Sequence, residues 1–158
     1  MATRLERADL PEASRLRRLL SESVGRICRG GRLVDSDARG PTGVDLLLAD
    51  AEGRPVFVDI VRDGVRQMPA RVFEHKAWFE ENQRLFLRAY SRDGVVRIEE
   101  PVFVFVAGEV PASVLAAVGA MDGVRVRVLL AECYEIDGEP EIMLDDLSPG
   151  AEPGGKRQ

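Results

Sequence analysis

Two short apolar segments joined by a glycine-containing turn place the strongest constraint on how this chain folds. Residues 44–49 and 55–61 are apolar on both faces of an extended strand, and Gly53 lies between them where a turn needs a positive φ angle. This pattern predicts a β-hairpin. Because strands that are apolar on both faces must be covered on both faces, we expect the hairpin to lie in a sheet with helices on each side.

The remaining predicted elements alternate between helices and strands. They are a helix from Asp9 to Ile27 that Gly30 and Gly31 end, a short strand at 32–34, a long helix over 69–90, a strand over 102–106, a helix over 111–121, a strand over 124–130 and an edge hairpin over 132–147. The predicted fold class is therefore α/β, a mixed sheet flanked by helices on both faces, in the order α(β)ββαβαβ.

Length and composition indicate one globular domain. The chain has 158 residues, of which 45% are hydrophobic and 31% charged, so we expect a single domain over 1–147 and a flexible C-terminal tail over 148–158. No apolar run approaches the roughly 18–20 residues that cross a bilayer. Cys28 and Cys133 are far apart and do not form a CxxC motif, which favours buried reduced thiols in a cytoplasmic protein.

Charge is unevenly distributed along the sequence. The net charge is −5, which argues against a domain held to nucleic acid by bulk electrostatics alone. Residues 1–40, however, contain nine arginines against six acids, whereas residues 131–158 contain eight acids against Lys156 and Arg157. The first helix is therefore the part of the chain expected to face a polyanion.

Asp45 and Asp59 are the only charged residues inside the two strands of the predicted hairpin. A hairpin centred on Glu52 places them directly opposite one another, with Cβ atoms about 4.5–5.5 Å apart. Like charges at that distance repel, and a divalent cation with oxygen ligands from both would remove the repulsion. The alternative is that one or both acids lie at a strand end, solvated or paired with an arginine such as Arg62.

At these residues the sequence resembles the PD-(D/E)xK, or restriction-endonuclease-like, nucleases. Residues 44–62 look like the "VDLLL…GRPVxVEIKR" hairpin in the C-terminal domain of archaeal-type mismatch-specific endonucleases, and the likeness extends over roughly residues 9–131. The resemblance implies a DNA phosphodiesterase that uses Mg²⁺ or Mn²⁺. In it, Asp45 takes the place of the first metal-binding acid and Asp59 that of the second.

The resemblance fails at the motif lysine, because Val61 stands where the family has it. That lysine orients the attacking water and offsets developing negative charge, and valine can do neither. On the long helix, Lys76 and Gln83 lie within the stripe that faces the sheet, so Lys76 is a candidate for a relocated lysine and Gln83 for a supporting group. The alternative for Lys76 is a surface or purely structural role. His75 is expected to be a surface histidine.

The first helix supplies the other candidate residues. Glu12 lies one turn before Leu16 on the core-facing stripe, whereas Glu22 lies off it, so Glu12 is preferred for the helix glutamate and third metal ligand that the resemblance implies. The alternative is that Glu12 is a first-turn acid that favours the helix dipole. Arg15 and Arg18, with Arg62 after the hairpin, are candidate phosphate contacts.

Trp78 and Leu85 share a second face of the long helix, roughly opposite the sheet-facing stripe. An exposed Trp–Leu ridge of this kind predicts a homo-oligomer or partner surface. The alternative is that a later loop or the C-terminal hairpin folds over it.

Two functions remain open from the sequence. The first is a divalent-metal-dependent nuclease acting on DNA, with Asp45, Asp59 and Lys76 in the site. The second is a nuclease-fold module without catalysis, used for nucleic-acid binding or for oligomerisation. The missing lysine and the acidic net charge favour the second, whereas the pair of aspartates and the position of Lys76 favour the first.

Overall fold

The computed structural model describes residues 3–38 and 42–148. The predicted tail, except Ser148, and Arg39 of the N-terminal arginines lie outside the described residues. The strands are β1 Leu5–Ala8, β2 Arg32–Asp35, β3 Leu46–Ala49, β4 Pro55–Val61, β5 Val102–Ala107, β6 Arg125–Ile136 and β7 Glu139–Asp146. The helices are α1 Ala13–Ser21, α2 Val24–Ile27, α3 Met68–Glu81, α4 Gln83–Tyr90 and α5 Ala112–Gly119, with single 3₁₀ turns at Val65–Gln67 and Ser91–Asp93.

The described strands form one mixed sheet in the order β1-β6-β5-β4-β3-β2, with β7 also paired to β6. The β4–β5 and β5–β6 pairs are parallel, and the other pairs are antiparallel. Strand β6 is long enough to pair first with β5 and then with β1 along one edge, while β7 pairs with its other edge. The prediction of an α/β fold with a mixed sheet is confirmed.

Side chains of the sheet alternate between two apolar cores, one on each face. The core under α3, α4 and α5 is rich in aromatic rings and contains Phe57, Phe79, Phe86 and Phe103. The core under α1 and α2 is aliphatic, with Leu16 packed against strand residues such as Val58 and Val104. The predicted cover of helices on both faces is therefore confirmed.

The register predicted for the first hairpin is confirmed over its paired residues, 46–49 and 55–58. Leu46 lies opposite Val58 and Ala49 opposite Pro55, which centres the hairpin on Glu52. Gly53 has the positive φ angle that the turn requires, 85°, and its carbonyl accepts hydrogen bonds from the backbone amides of Val96 and Arg97. The turn thus fixes both the hairpin and the later loop that packs beside it.

The C-terminal hairpin forms around the predicted turn. Asp137 and Gly138 both have positive φ angles, 52° and 85°, and Ile136 lies opposite Glu139. These angles suit a two-residue hairpin turn between twisted strands. Strand β6 nevertheless runs to Ile136, past the end at Leu130 that the sequence predicts, because one long strand serves both the central sheet and this hairpin.

The prediction of one long helix over 69–90 is wrong at Asn82. The backbone leaves the helical region there, at φ −116° and ψ 16°, and the Asn82 side-chain amide donates to the carbonyl of Trp78 at 2.7 Å. Asparagine side chains compete with helical backbone bonds in this way. The first helix is likewise divided, at Ser23, into α1 and α2.

Strand β1 is an element that the sequence pattern does not predict. Its residues are mostly exposed and include two charged side chains, so it lacks the apolar alternation of a half-buried strand. It forms because β6 extends beyond β5 and offers a free edge. Cys28 and Cys133 are both buried free thiols. No helix among the described residues is long and apolar enough to cross a membrane.

Candidate functional site

Asp59 lies in β4, inside the sheet, and is only 2% exposed. Both oxygens of its carboxylate contact positively charged or hydrogen-bonding groups of α3. Arg71 donates from Nε to Oδ2 at 3.0 Å and from Nη2 to Oδ1 at 2.6 Å, and His75 Nε2 lies 2.8 Å from Oδ2. We call these three side chains the Asp59 cluster.

Helix geometry explains why α3 supplies both partners. Arg71 and His75 are four residues apart, so their side chains project from the same side of the helix. The side chain of His75 is 14% exposed, and its ring centroid lies 6.3 Å from that of Phe103 and 6.1 Å from that of Phe105. The expectation of a surface histidine is wrong, because α3 lays this ring on β5 beside the buried carboxylate.

Asp45 immediately precedes β3, just beyond the last paired residues of the hairpin, Leu46 and Val58, so the predicted direct pairing with Asp59 is not part of the ladder. Its backbone amide donates to the carbonyl of Val58 at 3.0 Å, and its Oδ2 accepts from the backbone amide of Ile60 at 2.8 Å. Asp45 therefore bridges the two neighbours of Asp59 along β4, and its buried carboxylate closes the end of the hairpin. The Asp45 carboxylate thus contacts the backbone of β4, whereas the Asp59 carboxylate contacts side chains of α3.

Lys76 is placed away from the Asp59 cluster. Its Nζ lies 3.7 Å from Glu80 Oε1, one turn along α3, and the side chain is half-buried. Together with Gln83, Lys76 lines a cavity of about 510 Å³ whose walls include Phe79, Phe103 and Arg125. Arg71, rather than Lys76, is the α3 cation that reaches Asp59.

Glu12 is exposed and precedes the first residue of α1, where its Oε1 accepts a hydrogen bond from Ser14 at 3.1 Å. Glu22 follows the last residue of the same helix. Across residues 3–38 and 42–148, no group of three or more His, Cys, Asp or Glu side chains is arranged to hold a metal ion. The predicted set of Asp45, Asp59 and Glu12 is therefore not gathered in the structure.

The candidate phosphate contacts lie on the surface. Arg15 and Arg18 are exposed and three residues apart on α1, so they share a side of the helix. Neither forms an ion pair with an acid in the described part of the chain. Arg62 is also exposed and donates through Nη1 to the carbonyl of Pro11, which ties the end of β4 to the start of α1.

The predicted Trp78–Leu85 surface is divided by the break at Asn82. Trp78 is half-buried and packs against the aromatic core, whereas Leu85 on α4 is 63% exposed. A continuous apolar ridge across both residues is not present. The homo-oligomer that the sequence predicts at this face stays a prediction.

Arg71 is the site residue that sequence reasoning missed. The buried residues of α3 are Met68, Val72 and Phe79. The spacing from 68 to 72 and then to 79 centres the inward face nearer His75 than Lys76, and Arg71 lies one turn before His75. This spacing therefore favours His75 and Arg71 as the residues that face the sheet. A stripe drawn along one unbroken helix to Tyr90 favours Lys76 instead.

Comparisons with protein-family models, curated proteins and solved structures find nothing that matches this chain. Function is therefore inferred from the geometry of the chain itself. The Asp59 cluster is a compact acid–guanidinium–imidazole arrangement inside the fold, and the exposed arginines of α1 are groups able to bind phosphate oxygens.

Proposed function

We propose that this chain is a restriction-endonuclease-like domain that binds nucleic acid without hydrolysing it. The succession of α1, the β3–β4 hairpin, α3, β5, α5 and β6 supports the likeness, because it follows the layout of the family that the sequence resembles. Asp59 in β4 and Asp45, one residue before β3, are the acids that the resemblance assigns to the metal site.

The observation that carries the proposal is the occupation of Asp59 by Arg71 and His75. A metal-dependent site needs carboxylate oxygens that are open to the cation. In this chain the guanidinium of Arg71 supplies the positive charge that balances the buried carboxylate, and a metal would have to displace it. Val61, where the resembled family has lysine, is buried among apolar side chains and offers no replacement.

The arginines of α1 support the binding part of the proposal. Guanidinium groups form charge-assisted, often bidentate hydrogen bonds with phosphates, and such contacts dominate nucleic-acid affinity. Arg15 and Arg18 are exposed on one side of α1, and Arg62 adds a third guanidinium near the start of the same helix. Because the acidic excess lies in residues 131–158, this helix keeps a local positive charge despite the net charge of −5.

Binding is tested by fluorescence anisotropy with labelled duplex DNA, single-stranded DNA and RNA between 50 and 200 mM KCl. The variant Arg15→Gln/Arg18→Gln is compared with Arg84→Gln/Arg88→Gln, which removes the same charge from α4 on the other face of the sheet. We expect the α1 pair to weaken binding at least fivefold and to reduce the slope of log Kd against log salt by about 2. Equal weakening by both pairs would contradict a specific α1 interface.

A second candidate function is the metal-dependent phosphodiesterase, which the proximity of Asp45 to Asp59 favours. The carboxylate of Asp45 bonds to the amide of the residue directly after Asp59. The side chain of Arg71 is 31% exposed, so its outward rotation would free Oδ1 of Asp59, while Oδ2 would keep its contact with His75. Mg²⁺ or Mn²⁺ would then use both aspartates, with Lys76 and Gln83 reached only after further rearrangement of α3.

Cleavage separates the two functions. A labelled oligonucleotide duplex is incubated with the protein and Mn²⁺, and products are resolved for wild type, Asp59→Asn and Lys76→Ala. The binding proposal expects no cleavage by any of the three proteins. Cleavage by wild type that Asp59→Asn abolishes would establish the phosphodiesterase instead, and retention of that cleavage in Lys76→Ala would exclude the relocated lysine.

A further inference from the structure

Beyond the end of β5, strand β6 continues the sheet together with β1 and β7. One face of this three-stranded extension carries apolar side chains that reach solvent. Pairing of Leu5 with Ile136 and of Glu132 with Met143 places alternate residues of the three strands on this same face. We call it the β6–β7 face. Its members are Leu5, Arg7, Leu130, Glu132, Tyr134, Ile136, Glu139, Glu141, Met143 and Asp145.

The β6–β7 face continues a layer that is covered by helices elsewhere in the sheet. Val128 lies on the same side of β6 and is buried with Val114 and Val118 of α5. Beyond it this cover stops, and Leu5 and Met143 are 62% and 58% exposed. The opposite side of the same strands is buried in the aliphatic core with α1 and α2, as Cys133 and Ile142 show. Only one side of the extension is therefore left open among the described residues.

The open face is concave and acidic. Most of its residues line a groove of about 530 Å³. Four acids, Glu132, Glu139, Glu141 and Asp145, share the face with one arginine, Arg7. Arg7 pairs with Glu132 at 3.2 Å, and Arg26 of α2 lies 3.8 Å from Glu141. Among the described residues, four acids therefore meet two arginines, and the face keeps a net negative charge around its apolar centre.

From this placement we propose that the β6–β7 face is a docking surface for a basic amphipathic helix of a partner protein. A helix is the element that covers this layer over the rest of the sheet, and its apolar stripe would fill the groove beside Leu5 and Met143. Arginines or lysines flanking that stripe would meet the acids at the rim.

Charge complementarity selects this occupant over two others. A second copy placed face to face would bring two acidic rims together, which is unfavourable. Residues 149–158 of the chain itself contain Lys156 and Arg157 but no large apolar side chain to fill a groove. An external helix with both an apolar stripe and basic flanks satisfies both features of the face.

The test uses the full chain and labelled 15-residue helical peptides in fluorescence anisotropy. The first peptide has leucines at i, i+3, i+4 and i+7 spacing with arginines on either side of the stripe. The second replaces the arginines with glutamates, and the third has the composition of the first with its leucines distributed around the helix. We expect saturable binding of the first peptide and at least tenfold weaker binding of the other two.

Protein variants locate the peptide. Leu5→Ser/Met143→Ser should weaken binding of the first peptide at least tenfold, whereas Leu85→Ser, which removes a similarly exposed leucine from α4, should leave it unchanged. Glu139→Gln/Glu141→Gln, which keeps the apolar centre, should weaken binding at least threefold. Thermal unfolding midpoints identify any variant that has lost its fold. If Leu5→Ser/Met143→Ser is such a variant, the effect of Glu139→Gln/Glu141→Gln on peptide binding decides the result.

Three results would overturn the proposal. The first is absence of saturable binding by the arginine peptide. The second is binding that neither face variant changes. The third is a concentration-dependent dimer in sedimentation that Leu5→Ser/Met143→Ser dissociates, because the face would then belong to a second copy of the chain.

Discussion

The guanidinium of Arg71 contacts both carboxylate oxygens of Asp59, at 2.6 and 3.0 Å, across the interface between α3 and the sheet. A carboxylate that is 2% exposed needs such a partner, because removing it from water without one is strongly unfavourable. The same contact that stabilises the buried acid also occupies the oxygens that a metal ion would use. Stability and the proposed loss of metal chemistry therefore depend on one ion pair.

Asp59→Ala is expected to lower the free energy of unfolding by about 3 kcal/mol. This lies at the low end of the range for breaking a buried pair, because the Arg71 side chain is 31% exposed and part of its charge is screened. Urea denaturation measures the loss. Lys76→Ala on the same helix is the control and should change stability by less than about 0.5 kcal/mol, because its contact with Glu80 lies on the surface. Equal losses in the two variants would contradict the assigned roles.

Val61→Lys is expected to destabilise the fold and to leave nucleic acid uncut. Val61 is buried in the aromatic core, so a longer, charged side chain there adds both overpacking and desolvation. We expect the loss of unfolding free energy to exceed that of Val61→Met by about 2 kcal/mol, as measured by urea denaturation. Gain of Mn²⁺-dependent cleavage in this variant would show that the site lacks only its lysine.

Gly53→Ala is expected to lower the free energy of unfolding by about 1–3 kcal/mol. Gly53 has a φ angle of 85°, and an added Cβ would lie 2.6 Å from Val96 Cγ2. Gly25 in α2 is the matched control, because a Cβ there meets no atom within 4 Å. Gly25→Ala should instead stabilise by about 0.5–1 kcal/mol. Thermal or urea unfolding distinguishes the two, and a neutral Gly53→Ala would contradict the strained turn.

Stability should fall in alkaline solution through Tyr90. Burial raises the pKa of Tyr90, and the hydrogen bond from its hydroxyl to Asp35 Oδ2 at 2.8 Å raises that pKa further. The folded state then holds the phenolic proton more tightly than the unfolded state, so stability is unaffected below the ordinary tyrosine pKa of about 10 and falls as pH rises above it.

Urea denaturation of wild type and Tyr90→Phe between pH 8 and pH 11 measures this dependence. Tyr90→Phe should be less stable by about 1 kcal/mol at pH 8, from the lost hydrogen bond, but should lose less stability above pH 10. Tyr134 also has a raised pKa, through its hydrogen bond with Glu132, so Tyr134→Phe accounts for its contribution. Parallel curves for wild type and Tyr90→Phe would exclude Tyr90 as the source.

Local sequence signals were sufficient for both hairpins. Gly53 and the pair Asp137-Gly138 sit at positive φ angles, and the apolar segments around Gly53 determine which residues oppose each other. The alternation of side chains along β4 also predicts that Asp59 lies on a face of the sheet that a helix covers. These features depend on residues close together in the chain, which is why the pattern alone predicts them.

The partners of Asp59 depend on long-range packing instead. Phe79 and Phe86 pack on Phe57, with ring centroids 5.3 and 5.4 Å from it, and this contact helps set the rotation of α3 over the sheet. A change of one residue in that rotation decides whether Arg71 and His75 or Lys76 faces the carboxylate, since successive residues differ by 100°. Strand β1 is also a long-range feature, because its only paired strand, β6, begins over 100 residues later in the described chain.

Isothermal titration of the wild-type chain with Mn²⁺ tests the central claim most directly. If Arg71 and His75 occupy Asp59 as the structure shows, the titration should give no saturable heat at millimolar Mn²⁺. Asp63→Asn, which removes an exposed carboxylate near the same end of β4, serves as the control for weak surface binding. Saturable binding with one ion per chain, lost in Asp59→Asn and kept in Asp63→Asn, would contradict the account.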